Sequence, residues 1–140
     1  MKKSEVYVYI GGKYSAGTNM YLTELNILKA QKLAMKCAEE VINYYCPHMH
    51  SRLMDFYVPE VPWDYWMLQS KIVIENLCNC MLTVDNWLNS PGTKMEIALC
   101  STLGHPIFYS FDVFLSWYAG LEDGNLEEIR DIKNYLPVSA

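Results

Sequence analysis

No apolar stretch in this chain approaches the length that crosses a bilayer, and its first residues lack the apolar core of a secretion signal. Those absences point to a cytoplasmic protein with no membrane partner. An excess of basic residues is missing too: 11 Lys and Arg face 16 Asp and Glu, for a net charge of −5. A long nucleic-acid partner calls for a basic face, so that class is excluded. Neither a Walker A loop nor a G-x-G-x-x-G fingerprint occurs. The five cysteines are odd in number and lack the dense spacing of a secreted disulfide framework. Cys78 and Cys80 form C-x-C, and Cys46, His48 and His50 form C-x-H-x-H, but neither has the two-residue spacer of a structural zinc knuckle. No metal is assigned. Cys80 opens an apolar run, where a buried thiol acts as a small hydrophobe. Repeats, low-complexity tracts and linkers are absent as well.

What is present is a globular chain. With 140 residues, 51% of them hydrophobic, it makes one domain with a sizeable core. Residues 5–10 include V-Y-V-Y-I, a β-rich run suited to a buried first strand. Gly11 and Gly12 break it, and a loop of Lys13, Tyr14, Ser15, Ala16 and Gly17 follows. A strand, a glycine turn and then a helix can cradle a nucleotide, because glycine lets a ligand approach the backbone. Residues 21–41 are helical in pattern, with Ile27, Ala30, Ala34, Cys37, Ala38 and Val41 as the apolar stripe. A second strand at 42–46 is stopped by Pro47, and His48 follows at its carboxyl end. His50 and Arg52 in the same loop could add positive charge.

Pro59 and Pro62 mark 51–62 as a loop, and Pro62 suits the first position of a helix over 63–77. The apolar face of that helix reads Trp63, Trp66, Met67, Ile74 and Leu77, with Asp64 in its first turn. Strands follow near 80–84 and 106–109, then a short aromatic helix over 111–119 and an amphipathic closing helix over 126–136. Strands separated by helices mean a parallel sheet covered on both faces. The predicted fold is therefore α/β, a flavodoxin-like three-layer sandwich around a parallel sheet of four to five strands.

One stretch, residues 85–100, organises the rest. It reads D-N-W-L-N-S-P-G-T-K-M-E-I-A-L-C and joins the strand at 80–84 to a helix. Ser90, Pro91, Gly92 and Thr93 carry turn and N-cap chemistry. The helical period predicts Met95, Ala98, Leu99 and Thr102 on one face and Glu96 in the first turn. A helix start at the carboxyl edge of a sheet attracts an anion, and open α/β sheets bind ligands there. On spacing alone, Ser90 and Thr93 serve equally well as a plain cap and Glu96 as a dipole residue. Asp64 can likewise favour only its own helix, and Lys94 can be a solvated surface residue.

The pattern S-P-G-T-K-M-E, followed by an apolar helix and G-H-P-I, resembles the signature of the nucleoside 2-deoxyribosyltransferase-like family. That family pairs a Ser or Asp with a Gly and with a Glu six residues after the Ser or Asp; here these are Ser90, Gly92 and Glu96. The layout Y-I-G-x-x-Y-S, then W-x-x-S-x-G-T-x-x-E, is similar to that of small phage and bacterial members. The resemblance covers roughly residues 5–110. It implies that Tyr9, Gly12 and the following loop, with Ser15, hold sugar and phosphate, and that His48 contacts the ligand. It implies that Asp64 contacts the nucleobase or shuttles its proton. Lys13 departs from the proline, serine or other small residue of many relatives, and the segment between Asp64 and Ser90 is longer than in several of them.

The chemistry follows from these groups. A carboxylate is a suitable nucleophile for an anomeric carbon, whose transition state is oxocarbenium-like. Glu96 would attack C1′ of a ribose or deoxyribose, and Asp64, by resemblance, would protonate the departing base. A serine at position 90 resembles the relatives that bind a 5′-phosphate, with Gly92 and Thr93 beside it, Ser15 opposite, and Lys13 and Lys94 as nearby cations. The expected activity is cleavage or transfer of the N-glycosidic bond of a nucleoside or nucleoside 5′-monophosphate, without cofactor. The alternative is a protein that binds or sequesters a nucleotide without turnover; a purely structural module is the third possibility. Trp63, Trp66, Trp117 and Tyr118 exceed what one small core needs, and relatives resemble dimers or higher oligomers, so a homo-oligomer is expected.

Overall fold

The structure is a computed structural model that describes residues 1–131 and 133. In chain order its strands are β1 (Tyr7–Gly11), β2 (Asn43–Tyr45), β3 (Cys80–Thr83) and β4 (Ile107–Phe108). Its helices are α1 (Met20–Glu39), α2 (Pro47–His50), α3 (Met54–Tyr57), α4 (Trp63–Asn76), α5 (Pro91–Thr102), α6 (Phe111–Ala119) and α7 (Leu126–Arg130). Single 3₁₀ turns lie at Lys3–Glu5 and Trp87–Asn89. The strands form one parallel sheet in the order β2-β1-β3-β4. Helices cover both faces, giving an α/β three-layer fold of the flavodoxin-like kind.

Alternation along β1 sorts the two layers. Val8 and Ile10 point to the side of α1 and α6, where they pack with Ala30, Ala34, Cys37, Leu82, Phe108 and Phe114. Tyr9 points the other way, toward α4 and α5, and joins Ile74, Cys78, Met81 and Cys100. All five cysteines are free and buried within these layers. Burial raises every one of their thiol pKa values, so they act as small hydrophobes. No helix among the described residues is long and apolar enough to cross a membrane.

Several elements differ in detail from the reading of the sequence. The strands are shorter: residues 3–5 form a 3₁₀ turn, and only Ile107–Phe108 of 106–109 pairs. The segment 51–62 is not all loop, because α3 closes one helical turn within it, and α2 closes another just before it. Ala38 lies within α1 but faces outward, and α1 stops at Glu39 before Val41, which lies at φ 56°, a left-handed helix stop, so both leave the apolar stripe. Of the predicted helix over 126–136, α7 ends at Arg130, and residues 132 and 134–136 lie outside the described residues.

The α5 stripe is also shifted. Ser90 fixes the helix start, and from there Thr93, Glu96 and Cys100 face the sheet, while Met95, Ala98 and Thr102 face outward. Glu96 consequently lies in the second turn, not the first. On α4, Ile74 is fully buried but Trp63 and Leu77 are exposed; Trp66, Met67, Ser70 and Val73 make the rest of the inner row. Of the four aromatics read as surplus, Tyr118 is buried and Trp117 packs on Phe108 and Phe114. Only Trp63 among them is exposed, because α6 folds back over the end of β4.

Candidate active site

Tyr9 stands in the middle of β1 with its ring completely covered, stacked 6.0 Å from Tyr45 of β2. Its hydroxyl donates to the carboxylate of Glu96 and lies 2.9 Å from Ser70 Oγ. Strand, α4 and α5 thus meet at one polar cluster inside an otherwise apolar layer. Burial lifts the Glu96 carboxyl from 4.5 to about 7, and the hydrogen bonds of Tyr9 and Ser70 restrain that rise. Burial and the neighbouring Glu96 push the Tyr9 phenol well above its ordinary value, so Tyr9 remains a donor. An isolated carboxyl in an apolar layer is costly, and a carboxyl held this way near neutrality is a common device of reactive sites.

One turn earlier on α5 is the helix start. Ser90 Oγ accepts from the Thr93 N–H at 3.1 Å and the Thr93 hydroxyl at 2.8 Å. The Lys94 N–H is bonded to the Ser90 carbonyl, and Pro91 has none. That leaves the Gly92 N–H and the Ser90 hydroxyl proton without a partner among the described residues. A Cβ on Gly92 would stand 3.3 Å from Met67 Sδ and 3.7 Å from Trp63 Cζ2, so glycine lets the starts of α4 and α5 pack side by side. Gly11 connects the two parts: a Cβ there would lie 3.4 Å from Thr93 Cγ2 and 3.7 Å from Tyr9 Cε1.

The loop after β1 is pinned rather than open. Asn86, just past β3, accepts from the Lys13 N–H at 2.9 Å, and Asn26 of α1 donates to the Tyr14 carbonyl at 3.1 Å. His48 is buried, with Nε2 3.0 Å from the Lys13 carbonyl oxygen. Desolvation lowers its pKa, so the neutral ring donates from Nε2 and leaves Nδ1 buried without a hydrogen-bond partner among the described residues. At Gly12 the close approach is made by Val84, whose Cβ lies 2.7 Å from where a Gly12 Cβ would sit. The Tyr14 hydroxyl in turn donates to Asp55 at 2.8 Å and accepts from the Leu53 N–H at 2.7 Å.

The sequence-derived residues therefore divide. Tyr9 and Glu96 touch; Ser90, Gly92 and Thr93 form the adjoining helix start; Gly12, Lys13 and His48 form a loop clamp beside it. Ser15 is exposed and only closes a turn with the Gly17 N–H. Asp64 is exposed in the first turn of α4, next to Trp63, with no hydrogen bond or ion pair among the described residues. It sits about 120° round the helix from Ser70 and about 9 Å along its axis. Ser70, Asn26 and Asn86 were missed in the sequence. Ser70 had a signal: it is the one small hydroxyl in the row Trp66, Met67, Ser70, Val73, Ile74. Among the described residues, no three His, Cys, Asp or Glu gather as a metal site. No family model matches the chain, and no curated protein or solved structure matches it.

Proposed function

We propose that this protein cleaves or transfers the N-glycosidic bond of a nucleoside or nucleoside 5′-monophosphate through Glu96. The observation that carries the proposal is the buried Tyr9–Glu96–Ser70 cluster, one turn inside a helix start that retains a free N–H and a hydroxyl. In this reading a 5′-phosphate lies at Ser90, Gly92 and Thr93, where a serine can donate and an aspartate would repel. The sugar then reaches down toward Glu96. Tyr9 holds one carboxylate oxygen, and the other attacks C1′ as the base leaves with the bond electrons. Asp64, at the start of the neighbouring helix, is the acid that protonates the departing base. Water or a second base resolves the glycosyl ester. The reading needs no metal or cofactor.

A binding protein without turnover is the second reading, and one observation favours it: Glu96 titrates near neutrality and is largely covered. Incubating the protein with a panel of nucleosides and 5′-monophosphates, then separating released base by chromatography, decides between the two. Released base supports the glycosidase; tight binding with intact ligand supports the sequestering protein.

The same proposal includes a homo-oligomer. Its basis is the outward row of α4, where Tyr65, Leu68 and Ile72 are 46%, 54% and 51% exposed beside the site. An apolar row on both sides of one helix suits a second copy. A monomeric mass by light scattering at micromolar concentration would count against it.

A further inference from the structure

Across the sheet from Glu96, a cavity of about 310 Å³ opens between α1 and α6, beyond the ends of β3 and β4. Lys29, Lys32 and Lys36 line one wall, Tyr109 and Phe111 the other, with Asp85 at the rim. In a chain of net charge −5, three lysines on one wall are a local reversal of sign. Spaced three and four residues apart, they share one face of α1 and spread over about 10 Å along its axis. That is longer than one phosphate group and fits two or three in a row. Lys29 is tied only to exposed Asp85, at 3.6 Å, and Lys32 has no ion pair among the described residues. The Lys36 ammonium lies 5.4 Å from the centre of the Phe111 ring.

The opposite wall adds two features. Phe111 begins α6, whose cap Ser110 makes no side-chain bond to the helix, leaving the N–H groups of Phe111, Asp112 and Val113 without a partner among the described residues. They add partial positive charge, opposed by the exposed Asp112 carboxylate in that turn. Tyr109 is half exposed, and Trp87 supports its ring at 5.0 Å. A supported aromatic ring beside a cationic row is a stacking surface for a base. A volume near 300 Å³ is at the lower end of small-molecule sites.

We infer that this α1–α6 cavity is a second binding site, independent of Glu96, for a nucleoside diphosphate or triphosphate. Its phosphates lie along Lys29, Lys32 and Lys36, and its base rests on Tyr109. The bland alternative is three lysine stems covering apolar surface, with their ammonium groups in water.

Calorimetric titration of the whole protein with ADP, inorganic pyrophosphate and adenosine tests this, at fixed ionic strength. ADP should bind with a Kd below about 1 mM, pyrophosphate about tenfold or more weaker, and adenosine weaker still. Lys32→Glu and Lys36→Gln should each weaken ADP by about tenfold or more, the usual scale of a lost charged contact. Tyr109→Ala should reduce ADP to the level of pyrophosphate. Glu96→Gln and Ser90→Asp, the second closing the phosphate site proposed at the α5 start, should both retain ADP binding that Lys32→Glu still weakens, which separates this site from the proposed active site. Circular dichroism of each variant shows whether the fold is intact. The inference is overturned if ADP fails to bind, if the lysine variants bind as wild type, if Glu96→Gln or Ser90→Asp abolishes binding, or if pyrophosphate matches ADP.

Discussion

The Tyr9 hydroxyl donates to the carboxylate of Glu96 across 87 positions of sequence, from the centre of the sheet to the second turn of α5. Ser70, from a third element, closes the same cluster. The contact puts a polar cluster inside an apolar layer: burial raises the Glu96 carboxyl to about 7, and the Tyr9 bond restrains that rise and fixes the direction of one of its oxygens. In the proposed reaction the remaining oxygen is the one that attacks.

Tyr9→Phe removes that donor. The Tyr9 hydrogen bond restrains the rise of the Glu96 pKa, so its loss should move the carboxyl above about 7. Stability should fall by about 1–3 kcal/mol for a buried acceptor left without its partner. The ascending limb of the pH–rate profile should shift to higher pH; an unshifted limb would separate Tyr9 from the reaction.

Glu96→Gln should raise stability in a pH-dependent way. The folded carboxyl titrates near 7 and the unfolded one near 4.5. Between those values the folded protein binds the extra proton, so wild-type stability declines as pH rises through the window. Above pH 7 the full cost, about 3 kcal/mol at 1.36 kcal/mol per pH unit, is present. The amide carries no such term, so its advantage should be near zero at pH 4 and largest at pH 8. Urea midpoints at the two pH values measure it, and equal differences at both would contradict the assignment.

The fold was legible because its signals are local. Alternating runs of six or fewer residues and the Ala30–Ala34–Cys37 stripe specify a covered parallel sheet. Ser90 was readable as a cap for the same reason, and it accepts from Thr93 as a cap does. The face of α5 was not legible: Met95 is apolar and exposed, yet Thr93 and Glu96 turn inward. Hydrophobicity alone assigns a polar inner row to solvent. Ser70 and Asn86 were hidden because their partners, Tyr9 and Lys13, lie 61 and 73 positions away. His48 was visible as a residue at a strand end, but its bond to the Lys13 carbonyl depends on tertiary packing.

Two variants of Ser90 should separate cap from ligand site. Ser90→Ala removes the acceptor for Thr93 and should cost about 1 kcal/mol of stability. Ser90→Asp keeps a capping oxygen but adds a charge, so it should weaken nucleoside 5′-monophosphates and spare free nucleosides. Melting temperatures and competition binding measure the two effects. Equal weakening of both ligand classes would remove phosphate from the helix start.

The two neighbouring glycines should respond differently to alanine. At Gly12 the new methyl meets Val84 Cγ2 at 2.6 Å and Cβ at 2.7 Å, so backbone must move, at about 1–3 kcal/mol. At Gly11 it meets chiefly the terminal methyl of Met81 at 2.4 Å, which can swing aside. Chemical denaturation should show Gly12→Ala as the more destabilised; the reverse order would contradict the packing of the loop on β3.

The central claim is that Glu96 attacks the anomeric carbon, and base release by wild type and Glu96→Gln measures it most directly. Wild type should free base from a nucleoside or a 5′-monophosphate, with a rate that rises with pH through about 7 as the carboxyl ionises. Glu96→Gln should bind the same substrate and release base at least about a hundredfold more slowly, the mark of an interaction made in the transition state. Equal rates in the two proteins would contradict the account.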